Sequence, residues 1–349
     1  APTLLRTMSI RPDPHPVRDF FIEGLIDYAP KDSSEMMERP FFSISKRKRN
    51  KPIHYATPDG KLWIKVNANP VHGMATIWDA DILIWCISRI VADRDAGKND
   101  LRPIINTTPY ALLKGIARGT SGQDYAELLR AIKRLRTTEV ETNIRAGRRR
   151  YTAFHYLGDI EGEGEDQSDP EQLKTLTLRV PDWLLDGILS GNVLTLDREY
   201  FRLTGGIERA IYRAARKHAG NQPGGWTCKI ATLHEKTGSE SPLKKFAFRL
   251  REMCKQDDLP RYAMRLTVTQ DGSPAVLFVD RAFLDEKAIA KQRASAEQRL
   301  REDARAAWLD AGRSPEGFEG AWGHWIQGGG SLEDFARICQ DKRAVMASL

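Results

Sequence analysis

Apolar and polar positions divide the chain into helices and hairpins, in an order that occurs twice. Residues 53–57 and 62–67 alternate around Asp59-Gly60, a turn pair favoured in tight hairpins, and predict a small β-hairpin. From Thr76 the period lengthens to that of a helix. Thr76 can cap with Asp79 three residues on, and Ile77, Ile84, Ile87 and Val91 recur on one face to about Asp93. A shorter helix opens at Thr108-Pro109, where proline suits the first helical position, and runs to about Arg118. Gly119-Thr120 and Ser121-Gly122 mark a tight turn. In the helix after it, Tyr125, Leu128, Leu129, Ile132 and Leu135 recur at helical spacing, opposite Gln123, Glu127, Arg130, Lys133 and Arg134. Two strand-like runs follow, 139–144 and 151–157, joined by Arg145-Ala146-Gly147-Arg148-Arg149-Arg150.

The same order returns downstream. A strand at 176–180 leads into a short helix at Pro181. A long helix is expected from Asp197 to His218, bent at Gly205-Gly206, with Ile207, Ala210, Ile211 and Ala214 as its apolar stripe. A strand at 226–230 and a helix at 231–236, stopped by Gly238, come next. Ser241-Pro242 opens a helix with Leu243, Phe246, Leu250 and Met253 inward and Lys244, Lys245, Phe248, Arg249, Arg251 and Lys255 outward. Strands 262–269 and 275–279 meet at Asp271-Gly272, a strong hairpin signal. Helix, helix, turn, helix, hairpin is the order of a winged helix-turn-helix. The copies align Leu112-Leu113-Lys114-Gly115 with Leu233 to Gly238, and Leu128 to Leu135 with Phe246 to Met253. Residue identity between them is weak, so the repeat lives in element order and apolar spacing.

The expected class is therefore α+β: two tandem winged helix-turn-helix domains with a small N-terminal β-hairpin and a helical C-terminal extension. The divisions are an N-terminal arm (1–52), a first domain (53–172), a second (173–284) and the extension (285–349). In the arm, residues 1 to about 40 are expected to be loosely attached, and the basic run 46–51 to be a solvated tether. The first domain ends in an acidic, glycine-rich segment (159–171), expected as a flexible surface loop. In the extension, 285–312 predicts a long exposed helix and 332–347 another. Trp308, Trp322, Trp325 and Phe335 predict a local mini-core, with a docking face as the alternative.

Composition narrows the function. Hydrophobic residues at 41% and charged residues at 29% fit a globular protein. No apolar run reaches the roughly 18 residues of a membrane span, and the first residues show no secretory pattern, so a cytoplasmic protein is expected. Cys86, Cys228, Cys254 and Cys339 lack CxxC spacing and read as reduced thiols. The seven histidines form no HxH or HExxH pair, and there is no GxxxxGK[ST] loop. No cofactor, metal or catalytic activity is expected. Asp79 and Asp81 sit two apart, where helical side chains do not face each other, and read as a cap and a surface charge.

A net charge of +7 allows an anionic partner without naming one. Its distribution is more telling. Residues 130–150 hold eight Lys/Arg against two Glu, and 241–265 hold seven against three acids. Cations on helices and wings release condensed counterions from duplex phosphates. Base edges supply the specificity. Gln123 can pair with adenine and Arg130 with guanine; Lys244, Lys245 and Arg249 are the base-reading candidates of the second copy. Ser239 and Ser241 are placed to bind phosphate near a helix start. Arg145, Arg148, Arg149 and Arg150 are expected at a wing tip meeting phosphate or a narrow minor groove. Lys133, Arg134, Arg251 and Arg265 complete the candidate DNA-binding set.

Four segments carry a family resemblance: Ala75-Thr76-Ile77-Trp78-Asp79-Ala80-Asp81-Ile82-Leu83-Ile84-Trp85; Glu38-Arg39-Pro40-Phe41-Phe42-Ser43-Ile44-Ser45-Lys46; Asp197-Arg198-Glu199-Tyr200-Phe201-Arg202-Leu203; and Ser239-Glu240-Ser241-Pro242-Leu243-Lys244-Lys245-Phe246. They resemble the plasmid replication initiator protein A family, over roughly residues 18–282. The resemblance implies a tandem winged-helix initiator that binds repeated origin sequences in double-stranded plasmid DNA. It further implies opening of AT-rich DNA, recruitment of the host initiator and replicative helicase, and a homodimer through the first winged unit. The acidic loop and the C-terminal helices fall outside the pattern. The competing readings are a transcription regulator or partition adaptor that binds DNA without opening it, and a metal-dependent nicking enzyme.

Overall fold

Helix α2 (Ala80–Asp95) is apolar on nearly every side: Ile82, Leu83, Ile84, Trp85, Cys86 and Ile87 are each at most 1% exposed. A helix of that kind must lie at the centre of a fold rather than on its surface. The computed structural model describes residues 29–98, 100–144, 151–163, 173–220, 222–284, 286–310, 312–327 and Phe335. The predicted wing tip 145–150, most of the acidic segment 159–171 and all but Phe335 of the predicted helix 332–347 lie outside those residues. The chain forms two compact units, Ala1–Phe278 and Val279–Leu349.

The first unit holds two apolar cores. One draws on residues from Met36 to Ile188, the other on Met37 and residues from Leu196 to Phe278; Ile84 turns to the second while most of α2 packs in the first. Around the first core lie β1 (Lys31–Ser33), α1 (Ser34–Glu38), β2 (Ile53–Ala56), β3 (Trp63–Asn67), α2, β4 (Ile104–Thr107), α3 (Pro109–Gly115), α4 (Gly122–Thr137), β5 (Glu139–Thr142), β6 (Thr152–His155), β7 (Ile160–Glu161), β8 (Leu176–Arg179) and α5 (Asp182–Leu189). Side-chain caps form at the starts of α3 and α4. Thr108 Oγ1 accepts from Ala111 N at 3.1 Å, and Ser121 and Asp124 close a reciprocal capping box. The α3 helix ends at Gly115, short of the expected Arg118.

Several expectations change. Residues 29–52 are no loose arm: β1 pairs with a strand near residue 194, and Phe41 and Phe42 are buried. The hairpin β2–β3 is not a separate feature, because β3 also pairs with β5 to give the four-stranded sheet β2-β3-β5-β6. Within the acidic segment, Ile160 and Glu161 form β7 against β8, beside the unforeseen strand β4. Asp79 and Asp81 are 1% and 2% exposed, so neither is a surface charge. Asp79 does serve the turn before α2: Thr76 N donates to its Oδ2 at 2.8 Å, and Asp79 N to Thr76 Oγ1 at 3.3 Å.

The second core is built from β9 (Val193–Thr195), a 3₁₀ turn (Arg198–Arg202), α6 (Gly206–Ala219), β10 (Trp226–Lys229), α7 (Ile230–Thr237), α8 (Leu243–Gln256), β11 (Tyr262–Val268) and β12 (Pro274–Asp280). The expected bent helix 197–218 is two elements, separated by extended backbone at Leu203. At the start of α6 a Cβ on Gly206 would stand 2.0 Å from the Ile44 carbonyl oxygen, so this close approach requires glycine. Gly238, at φ +61°, ends α7 in the left-handed conformation. The order helix, strand, helix, helix, hairpin thus repeats as α2–β4–α3–α4–β5–β6 and α6–β10–α7–α8–β11–β12. Strand pairing does not repeat: β10 joins its own hairpin in the order β10-β12-β11, whereas β4 pairs with β8.

Buried ion pairs stitch the cores together. Arg209 of α6 donates Nη1 to Asp81 Oδ1 at 2.7 Å, with both side chains under 5% exposed. Arg118 Nη2 lies 3.5 Å from the other carboxylate oxygen. Arg213 Nη2 sits 2.8 Å from Asp32 Oδ2, with both side chains 2% exposed. Burial pushes the Asp32 and Asp81 carboxyls up from the ordinary aspartate range, against the pull of these guanidiniums.

His218 of α6 stacks on Trp226 at 4.3 Å between centroids, with its Nε2 3.7 Å from Glu38 Oε1. Burial, reinforced by Lys236, holds its pKa down to about 4 despite Glu38. The folded chain keeps this imidazole neutral while the unfolded chain protonates it near pH 6.5. Its contribution is therefore complete above about pH 6.5 and is lost as pH falls toward 4, by about 2–3 kcal/mol. Denaturant unfolding from pH 7 to 4 should show a flatter stability curve for His218→Phe than for the native chain; identical slopes would refute the assignment.

In the second unit, α9 (Glu286–Asp310) and α10 (Pro315–Gln327) surround a small aromatic core. Ala304, Phe318 and Phe335 are fully buried and Trp308 is 4% exposed, with Trp322 and Trp325 packed beside them. The aromatic cluster is a mini-core.

Candidate nucleic-acid interface

The amphipathic pattern of α8 fixes which residues it offers outward. Phe246, Ala247, Leu250 and Met253 are buried against the second core. Lys244, Phe248, Arg251 and Lys255 then fall on one outer stripe, at i, i+4, i+7 and i+11, with Lys245 beside it. Phe248, 62% exposed, stands in the middle of the cations. Leu243, expected inward, is 45% exposed because it lies at the first turn, beyond the edge of the core.

Counter-charges separate these cations into two groups. Among the described residues no carboxylate lies within ion-pair distance of Lys244, Lys245 or Arg251. Arg249 lies on the flank of α8, where its Nη2 bonds Glu208 of α6. Lys255 Nζ is 2.7 Å from Glu252. Ser239 and Ser241 are half-buried in the α7–α8 turn; Ser241 N donates to Ser239 Oγ at 3.3 Å, and Ser241 O lies 2.7 Å from His234 Nε2.

The matching helix α4 is more self-neutralised. Setting Leu128, Ile132 and Leu135 against Phe246, Leu250 and Met253 puts Arg130 where Phe248 stands and Lys133 where Arg251 stands. Gln123, Arg130 and Lys133 are exposed. Arg130 Nε is held by Glu127 at 2.8 Å. Arg134 is a structural residue: its guanidinium grips Asp79 at 2.7 and 2.8 Å and Glu127 at 2.7 Å, with only 17% of the side chain exposed. Bidentate pairing of that quality leaves it no donor fork for a base.

The two hairpins predicted as wings differ as well. Arg145, Arg148, Arg149 and Arg150 lie outside the described residues. In the hairpin β11–β12 Arg265 is exposed on β11 with Nη1 2.8 Å from Asp257. Its tip is fixed by Lys229, Thr269 and Ser273 converging on Asp271, whose carboxyl these hydrogen bonds hold well below the ordinary range. Leu266 and Val268 are exposed on the same strand, at 48% and 67%. No cluster of three or more His, Cys, Asp or Glu able to hold a metal occurs among the described residues. Burial pushes the thiols of Cys86, Cys228 and Cys254 up, to about 12, 11 and 11. No helix among the described residues is long and apolar enough to cross a membrane.

Comparison with known proteins bears on what this arrangement serves. The family described as Replication initiator protein A matches residues 31–264, from β1 through α8 and into β11. The chain belongs to the replication initiator protein A family. A protein of Wigglesworthia glossinidia brevipalpis, named as a replication protein, is 30% identical over 259 residues, 73% of this chain and 92% of its own length. Among solved structures, domains 2 and 3 of RctB superpose with a TM-score of 0.51 at 11% identity, covering 73% of this chain and 98% of that one. A second structure of the same RctB domains gives 0.45 at 13% identity. The likeness to RctB concerns the mixed α/β fold, whereas the family match rests on sequence and spans both cores.

Proposed function

We propose that this chain initiates plasmid replication by binding repeated duplex sequences at the origin, and that it does so without catalysing a reaction. In this reading α7, α8 and β10–β12 form one winged helix-turn-helix, with α8 in the major groove. The helices α3 and α4 with β5–β6 form a second, diverged copy, whose surface serves backbone contact or a homodimer. The observation that carries the reading is the outer stripe of α8, where Lys244, Lys245 and Arg251, exposed and without counter-charges among the described residues, surround the exposed Phe248. Lys244, Lys245 and Arg251 supply donors to guanine edges or phosphates, and Phe248 supplies apolar contact of the kind thymine methyls accept. Family membership supports extending the reading to opening of AT-rich DNA, recruitment of the host initiator and helicase, and action in the cytoplasm on plasmid DNA.

Footprinting the purified protein on the DNA flanking its own coding region tests the reading. Protection of direct repeats beside an AT-rich segment, with unpaired thymines reactive to permanganate there, is the expected result. Protection without opening would assign a transcription regulator or partition adaptor instead. The same supercoiled plasmid should stay uncut with magnesium or manganese; a nicked product would defeat the non-catalytic assignment.

A further inference from the structure

The basic run 46–51 is not a free tether. At its start Ser43 N donates to Ala75 O and Ile77 N donates to Ser43 O, both at 2.9 Å, so the backbone runs beside residues 75–77. At its other end Met74 N donates to Arg49 O at 2.9 Å. The Arg49 side chain, 7% exposed, turns inward and anchors the run to the second core. Its Nη1 donates to Gly238 O at 2.6 Å, its Nε donates to Lys51 O at 3.0 Å, and Glu240 lies 3.7 Å from Nε. Gly238 precedes the first turn of α8. Ile44, Ser45 and Arg49 therefore share one crevice with Ser239, Glu240 and Ser241.

The other cations of the run behave in the opposite way. Lys46, Arg47, Lys48 and Lys51 are exposed. Among the described residues none has a carboxylate within ion-pair distance, and Lys46 rests over the Trp78 ring at 5.3 Å. A solvated tether would give its charges freedom and gain little by burying one arginine. Here one arginine fixes the backbone beside the α7–α8 turn, and its neighbours are left without ion-pair partners on the pinned segment, Lys46, Arg47 and Lys48 lining a cleft shared with Trp78, Arg118 and Glu127. Fixed cations lose less entropy on meeting an anion than mobile ones.

We infer that residues 46–51 form a phosphate-binding strand which extends the α8 surface along the backbone of the same duplex. The inference rests on the duplex-binding reading above and adds a site to it. The ligand is the sugar–phosphate backbone, so the run contributes affinity and register without sequence preference.

Anisotropy titrations of the full chain against an origin duplex and a random duplex, over about 0.05–0.3 M salt, test this. Replacing Lys46, Arg47, Lys48 and Lys51 together with glutamine should lower the slope of log K against log salt by about 2–4. Affinity for both duplexes should fall on the order of 100-fold near 0.1 M salt, leaving their ratio unchanged. A companion with Lys46, Lys48 and Lys51 changed to arginine should keep the native slope, and both variants should melt with the native chain. An unchanged slope in the glutamine variant, with native binding intact, would overturn the strand while sparing the α8 reading. Loss confined to the origin duplex would overturn it too, by making these residues base readers. Failure of the native chain to bind either duplex would overturn both.

Discussion

Replacing Asp81 with alanine is expected to destabilise the unit Ala1–Phe278 by about 3–5 kcal/mol. The carboxylate is 3% exposed and faces Arg209, 4% exposed, whose Nε and Nη2 are committed to the carbonyls of Leu203 and Phe201. Without Asp81, Arg209 keeps a desolvated charge with only carbonyl dipoles and the Tyr200 ring to compensate it. At about 2–4 °C per kcal/mol for a domain of this size, the melting temperature should fall on the order of 10 °C. Removing both partners, as Asp81→Leu with Arg209→Met, leaves only the partly exposed Arg118, still bonded to the Trp78 carbonyl, without its carboxylate, and should recover most of the loss. The pair also joins α2 to α6, so the single variant should broaden or split the unfolding transition. A cost below about 1 kcal/mol, with one sharp transition, would show that the pair does not hold the cores together.

The second large effect is expected at α8. Changing Lys244, Lys245 and Arg251 to alanine should reduce origin binding by about 10²–10⁴-fold, since a well-placed base contact contributes about 1–3 kcal/mol. Random duplex should lose less, because phosphate contacts elsewhere remain. Equal losses on both would remove these residues as base readers. Arg249 offers a sharper comparison, because Glu208 holds it. Glu208→Gln releases that guanidinium and deletes a negative charge beside the stripe, so binding should tighten several-fold. Weaker binding in this variant would mean that the Arg249–Glu208 pair orients α8.

Much of this was legible in the chain. The α8 stripe, the helix start at Thr108-Pro109, the turn at Ser121-Gly122, and the hairpins at Asp59-Gly60 and Asp271-Gly272 are set by neighbours within a few residues, so spacing reveals them. The misses share a cause. Asp81 finds Arg209 across 128 residues, and Arg49 finds Gly238 across 189. No local pattern marks which charge will be buried by so distant a partner. Strands β1, β4, β7 and β9 hold two to four residues each, too few for alternation to register. Residues 29–52 look irregular because their apolar side chains, Met36, Met37, Phe41 and Phe42, serve two different cores. At the candidate interface, charge counting already sets α8, with five Lys/Arg against one Glu, above α4, with four against one Asp and one Glu; only the placement of Glu127 and Asp79 showed how closely Arg130 and Arg134 are held.

Because Ile84 belongs to one core and its helical neighbours to the other, α2 acts as a common beam beneath both halves. A protein built this way behaves as a ruler. Where both surfaces contact one duplex, as in the proposed reading with α4 on the backbone, the protein sets the distance and helical phase between them, and a target whose two contact regions are moved half a turn apart, roughly five base pairs, should satisfy one surface only.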